Sequence, residues 1–132
     1  MFEALHISAT GMTAERLRMD VIASNIANAD TTRGPDGGPY RRKQVMLQAG
    51  GGFDEVLRGV EVAGIAEDPN PPRRVYDPGH PDADPEGYVS MPNVSAITEM
   101  VDLIGASRSY ESNVVAMNAA KQMFSRTLDI LR

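Results

Sequence analysis

Apolar residues in the last third of the chain recur at alternating steps of three and four. This is the a/d spacing of a helix that packs an apolar stripe against another helix. The pattern predicts a helix over residues 92–132, and roughly 39 helical residues would be about 58 Å long at 1.5 Å per residue. The apolar seam predicted for this helix comprises Met100, Leu103, Tyr110, Val114, Met117, Phe124, Leu128 and Leu131.

The first 29 residues repeat the same spacing and predict a second helix, from residue 2 to 28. Its predicted seam comprises Leu5, Met12, Met19 and Ile26. Gly11 lies inside this helix and disfavours it by roughly 1 kcal/mol relative to Ala, so the helix depends on a packing partner. A turn-rich segment follows at residues 24–32, where Asn25 and Asn28 are predicted to act as simple helix caps.

The middle of the chain predicts short strands separated by Gly- and Pro-rich loops. A loop over residues 33–40 leads into a first strand at 41–47, and a second strand at 59–67 has an expected irregularity at Gly64. A third strand is expected at 73–77, followed by a proline-rich stretch that cannot be helical. Together the three strands suggest a small hairpin-like sheet that needs a helix to pack on. Asn93 and Ser95 are both suitable N-caps for the last helix.

The predicted fold is therefore mainly α, with long N- and C-terminal helices forming a coiled coil and a small β-containing middle insertion. The expected divisions are residues 1–30, 31–91 and 92–132. Two interpretations of the seams remain open. The helices could form an ordinary intramolecular hairpin, or they could pair both with each other and with other chains. The middle carries few apolar residues to cover the flanks of either helix, which favours the second interpretation.

Composition and charge agree with an assembling protein more than with a catalyst or a nucleic-acid binder. The net charge is −5, and most of the excess lies in residues 30–96, which carry seven basic and eleven acidic side chains. The termini are nearly neutral, so the chain has apolar ends around a solvated centre. No cysteine is present, which excludes disulfides and thiolate metal sites. The beginning lacks the pattern of a cleaved signal peptide, and no apolar run is long enough to span a membrane.

Candidate chemistry is sparse. The two histidines, His6 and His80, lie far apart without ligand-like spacing, so we expect no enzyme activity, metal site or cofactor. One basic cluster stands out, formed by Arg41, Arg42 and Lys43. It could blunt an exposed strand edge or form a polar contact with acidic neighbours. The alternative is a small binding module in which this cluster holds a phosphate-bearing ligand.

Several segments resemble one protein family. The opening residues 5–20, and the motif over residues 24–32 in which Ser24, Asn25, Ile26, Ala27 and Asn28 precede Thr31 and Thr32, are similar to the N-terminal signature of bacterial flagellar axial proteins. These are the rod, hook and hook-junction proteins. Residues 37–43, 75–84, 87–94 and 99–113 are similar to proximal rod proteins within that family. The alternative within the family is a different rod paralogue, and only the Gly-Gly-Pro-Tyr and Pro-Gly-His-Pro segments distinguish the two.

The resemblance implies a structural subunit of the flagellar basal body. Proteins of this kind pass unfolded through the flagellar type III export apparatus without a cleaved signal. In the periplasmic space they build a tubular drive shaft around the export channel, with their terminal helices as coiled coils. Expected partners are other copies of the chain, other proximal rod subunits, the adaptor that joins the rod to the MS ring, and later rod subunits. Nucleic acid and membrane insertion are not expected.

Overall fold

The structure is a computed structural model that describes residues 2–50 and 59–130. Two long helices lie at the termini and a small β region lies between them, as the sequence predicts. Leu131, the last predicted seam residue, lies outside the described residues. In chain order the elements are α1 (Phe2–Ala27), β1 (Lys43–Ala49), β2 (Val60–Glu67), β3 (Arg73–Tyr76), β4 (Tyr88–Met91) and α2 (Ala96–Ile130).

Helices α1 and α2 pack side by side in opposite directions. At one end the rings of Phe2 and Phe124 meet edge to face, with centroids 5.6 Å apart. At the other end Asn25 donates a hydrogen bond to Glu99. Between these ends, a Cβ built on Gly11 would approach the side-chain amide of Asn113 to 3.0 Å, so the helices come close there. The last turn of α2 therefore extends beyond the start of α1.

The buried positions of α2 follow a seven-residue repeat. Glu99, Ala106 and Ala120 are its buried residues, and Asn113, half-buried against Gly11, occupies the remaining step of seven. Small side chains at these steps let the two helices approach closely, whereas one buried carboxylate needs polar partners. In α1 the buried residues are Ala14, Val21, Ile22 and Asn25.

Local signals explain where the helices end. Ser95 caps α2: the amide of Thr98 approaches its Oγ at 3.5 Å, and the amide of Glu99 donates to its carbonyl at 2.9 Å. The helix thus begins at Ala96, a few residues later than the sequence pattern suggests. At the end of α1, the side chain of Asn28 donates to the carbonyl of Ser24 at 2.8 Å, and the same carbonyl accepts the backbone amide of Asn28 at 3.1 Å.

Strands β1 and β2 form an antiparallel hairpin with a bulge where Gly64 was expected to disturb it. Met46 pairs with Gly64 and Leu47 pairs with Val62, so one residue of β2 has no partner. The hairpin contacts α1 through β2, whose first residue, Val60, donates its amide to Oγ1 of Thr10 at 3.1 Å. This contact supplies the helix that a two-stranded ribbon needs for stability.

The third predicted strand belongs to a different sheet, which corrects the expectation of one hairpin-like sheet. β3 pairs antiparallel with β4, a strand that was not predicted from the sequence. The turn before β4 needs Gly87, which has φ of +82° and whose added Cβ would come within 2.9 Å of the Tyr76 ring. Short strands of four residues carry too little periodicity for their pairing to be predicted.

A polar contact ties the loop after α1 to the proline-rich loop after β3. Asp82 accepts hydrogen bonds from the hydroxyl of Thr32 at 2.8 Å and from the guanidinium of Arg33. The amide of Asp82 in turn donates to Nδ1 of His80 at 3.1 Å. The Thr32 position of the family motif thus joins two loops that are distant in sequence.

Candidate subunit interface

The predicted seam of α1 does not coincide with the residues that α1 buries most completely. Leu5, Met12, Met19 and Ile26 are each half-buried. None of the four fully buried residues of α1 belongs to the predicted set. The true contact stripe is displaced around the helix because α1 packs against two partners, α2 and the β1–β2 hairpin, and not against a single helix.

The predicted seam of α2 is divided by the structure into two groups. Leu103, Tyr110, Val114 and Met117 are half-buried, whereas Met100, Phe124 and Leu128 are exposed. Leu103, Tyr110 and Met117 alternate with the inward steps at Glu99, Ala106 and Asn113. The predicted seam of α2 is thus partly covered within the chain, and its assignment as a subunit interface stays a prediction.

A second apolar stripe on α2 faces solvent. It begins at the helix start with Ile97, Val101 and Ile104, at steps of four and three, and Val115 lies on the same face eleven residues, or three turns, after Ile104. Met100 lies beside it. We call these five residues the outer stripe, and their exposed fractions are 77% for Ile97, 52% for Met100, 63% for Val101, 55% for Ile104 and 67% for Val115. Several large apolar side chains in a row on one exposed face are typical of a protein interaction surface.

The family motif surrounds a buried amide. Asn25 is 1% exposed and uses its whole hydrogen-bonding capacity. Its Nδ2 donates to the carbonyl of Lys43 at 2.8 Å and to Oε2 of Glu99 at 2.9 Å. Its Oδ1 accepts from the amide of Lys43 at 2.9 Å and from the hydroxyl of Tyr40 at 2.9 Å. The prediction that Asn25 is a simple cap was wrong, since the side chain joins α1, β1 and α2.

The basic cluster is divided between an internal contact and the surface. Arg42 lies against Glu99, with Nε 2.5 Å from Oε1, and its Nη2 is 3.6 Å from Oδ2 of Asp102. Lys43 is exposed, with its ammonium 5.9 Å from the centroid of the Tyr40 ring, and Arg41 is exposed. Arg42 is thus the counter-ion of a buried carboxylate of its own chain. It is therefore not part of a free basic patch, and its contacts among the described residues do not favour the phosphate-binding alternative.

Sequence reasoning missed Glu99 as a member of the site. Its side chain is 1% exposed, with one oxygen on Asn25 and the other on Arg42. The available signal was its position seven residues before Ala106, where a charged residue interrupts a stripe of otherwise small, uncharged residues. A charge is buried only when it is paired, so such an interruption indicates a partner.

Among residues 2–50 and 59–130, no helix is long and apolar enough to cross a membrane. The same described residues hold no group of three or more His, Asp or Glu side chains placed to share a metal ion. The most distinctive feature is the helical pair, because α2 buries one face within its own chain and exposes an apolar stripe on another face.

Comparison with known proteins gives matches at both helices and over the whole chain. The family model described as flagella basal body rod protein matches residues 5–35, and the one described as flagellar basal body rod FlgEFG protein C-terminal matches residues 86–130. The chain is similar to the flagellar basal-body rod protein FlgC of Bacillus subtilis, with 48% identity covering 98% of this chain and 97% of the relative. The FlgC protein of Borreliella burgdorferi is 44% identical over 100% of this chain and 98% of its own. That of Salmonella typhimurium is 45% identical over 94% and 92%.

Proposed function

Because the chain belongs to the FlgC family of flagellar basal-body rod proteins, and is a structural subunit of the rod and not an enzyme, we propose that its paired helices build the rod through the outer stripe of α2. In this proposal residues 1–30 and 92–132 form a coiled-coil core together with the helices of neighbouring subunits. Residues 31–91 lie outside that core. The observation that carries the proposal is the outer stripe itself.

Exposed apolar area of this kind gains free energy when a partner covers it. Burying one Ile, Val or Met side chain contributes roughly 1.5–3 kcal/mol. The five residues of the outer stripe would supply on the order of 10 kcal/mol, an upper estimate because they are partly covered already. This is comparable with the roughly 4–15 kcal/mol that association costs. One such contact is marginal alone, so each subunit would need several neighbours, as in a tube.

The predicted seam residues fit the same proposal in two roles. The half-buried ones, among them Leu103 and Met117, line the helical pair within one chain and the groove beside it. The exposed ones, Met100, Phe124 and Leu128, extend the surface offered to other chains. A stripe on one copy that meets a different surface on the next gives heterologous contacts, which close into a ring or continue as a tube.

The expected neighbours follow from membership of the family. They are other copies of the chain, other proximal rod subunits, the adaptor between rod and MS ring, and later rod subunits. The assembled subunits would surround the export channel and transmit torque in the periplasmic space, after passage through the type III export apparatus. The exposed Arg41 and Lys43 are available for polar contacts with acidic side chains of these neighbours.

Replacing Ile104 by Asp tests the proposal in cells that lack their own copy of the protein. Ile104 is 55% exposed in the free chain, so the charge should leave folding intact but prevent a neighbour from packing there. We expect normal amounts of folded protein, loss of swimming and no incorporation into basal bodies. The matched control is Ser109→Asp, which puts the same charge on an exposed position of α2 outside the outer stripe. Normal swimming with Ile104→Asp would contradict the proposal.

A further inference from the structure

The helical pair faces a problem of register that its apolar residues cannot solve. Leu103, Tyr110, Met117 and Phe124 recur every seven residues along α2. If α2 slid along α1 by one such repeat, roughly 10 Å at 1.5 Å per residue, each of these would replace the next with another large apolar side chain. Patterns that repeat in this way specify register weakly, and in coiled coils a single buried polar pair often supplies the missing specificity.

Asn25 and Glu99 form such a pair. Seven residues after Glu99 the chain has Ala106, and seven residues before it lies Pro92, which precedes the helix. A slip in either direction would therefore leave the buried amide of Asn25 without the carboxylate that it now bonds at 2.9 Å. A buried donor without an acceptor loses its hydration and gains nothing in return. Only the observed register satisfies both side chains.

The same pair also holds the middle of the chain. Both backbone polar groups of Lys43, the first residue of β1, bond to the side chain of Asn25. The neighbouring Arg42 supplies the cation for Glu99, and its carbonyl accepts the amide of Asp68 just after β2. The start of the β1–β2 hairpin is thus attached to the helical pair through groups that are complete only when both helices are in place.

We propose that Asn25 and Glu99 are positioning residues that set the register of α1 against α2, and that the β1–β2 hairpin docks only on helices paired in this register. Ordering of the middle segment is then coupled to correct helix pairing. The motif residue Asn25 serves as the junction of three elements, α1, α2 and β1. All of these contacts lie within one chain, so the pairing can be tested on the free protein whatever Ile104 contacts in the rod.

An exchange of donor and acceptor tests the pair. In Asn25→Asp, a second carboxylate would face Glu99 inside the protein. In Glu99→Gln, the new amide would present an N–H either to the N–H of Asn25 or to that of Arg42, whichever way it turns. We expect each single change to lower the ratio of folded to unfolded protein about 100-fold or more, as breaking a buried charged pair does.

The double variant Asn25→Asp, Glu99→Gln restores the pairing in reverse. The amide of Gln would donate to the new carboxylate while its oxygen still accepts from Arg42. The carbonyl of Lys43 stays without its donor, so recovery is incomplete. We expect the double variant to be at least about tenfold more folded than either single variant in thermal unfolding of the full chain. A double variant that is no more stable to heat than the less stable of the two single variants would overturn the proposal.

Two further observations separate positioning from simple space filling. Asn28→Asp makes the same change three residues later, where the side chain bonds only within its own segment, and Glu99→Gln should give it no recovery. Hydrogen exchange should show the amide of Lys43 losing and regaining protection together with the amides of residues 21–25. Protection that changes in the helices but not at Lys43 would contradict the proposal that the β1–β2 hairpin docks only on correctly paired helices. Should both single variants fail to fold, the yield of folded double variant decides the outcome.

Discussion

The inner and outer faces of α2 carry opposite kinds of side chain. The inner face buries a carboxylate and two alanines, Glu99, Ala106 and Ala120, against the rest of its own chain. The outer face exposes isoleucines and valines, among them Ile97, Ile104 and Val115. A self-contained helical hairpin would show the reverse distribution, with the large apolar residues inside and the charges outside.

This difference shows which contacts must be specific in register and which must bury a large apolar area. Small residues and one hydrogen-bonded pair let two helices of the same chain approach closely and in one register, at little gain of apolar area. Large exposed residues can gain free energy only from a partner, so the outer face is the one that depends on assembly. The two faces should therefore respond differently to mutation in the free protein and in the rod.

The largest contrast should come from two neighbouring residues, of which one is half-buried and the other exposed. Leu103→Asp would put a charge into the half-buried side facing α1 and should lower the free energy of unfolding by about 2–4 kcal/mol. Ile104→Asp, one residue later, should change it by less than about 0.5 kcal/mol in the free chain. Chemical denaturation of the two purified variants measures both values. Equal losses would remove the distinction between the faces.

Overpacking should give the next largest effect. Ala106 is 1% exposed, so Ala106→Leu forces extra methyl groups between α1 and α2 and should cost about 1–3 kcal/mol of stability. Ala119→Leu makes the same change on an exposed part of the helix and should cost almost nothing in the free chain. Thermal unfolding of both variants checks this pair. Tolerance of Leu at 106 would contradict the close packing of α1 and α2 at this position.

The smallest effect should come from the two helical glycines. Gly105→Ala has open space around the added Cβ and should stabilise the free chain by about 0.5–1 kcal/mol, because Ala favours helix. Gly11→Ala should gain less, since its Cβ would press on Asn113 at 3.0 Å. Denaturation midpoints of the two variants measure the difference. A larger gain at Gly11 than at Gly105 would contradict the close approach of the helices there.

The sequence predicted the elements better than their contacts. Both helices and the irregular hairpin were predictable because long periodic stretches and glycine-marked breaks are local signals. The residues that α1 buries most completely differ from its predicted seam. Periodicity indicates which positions of a helix are apolar, but it does not show which neighbouring element packs against each of them. β4 was not predicted because a long proline-rich loop separates it from β3, so no short turn marks the two strands as a hairpin.

Asn25 shows why the site was harder to predict than the fold. Its sequence neighbours indicate a helix end, and an asparagine there is usually a cap. The partners that make it a buried junction, Lys43 and Glu99, lie 18 and 74 residues away, and nothing in the local sequence names them. The family motif marked the residue as distinctive, but only the folded chain shows the contacts that give it a role.

Labelling of introduced cysteines tests the central claim most directly, because the chain has no cysteine of its own. Ile104→Cys would be labelled in the free protein and in purified basal bodies, with Leu103→Cys as its neighbour on the inner side. If the outer stripe is covered by another subunit, the thiol at 104 should react rapidly in the free protein and at least about tenfold more slowly in the rod, while the thiol at 103 is slow in both. Equally rapid reaction at 104 in the free protein and in basal bodies would contradict the account.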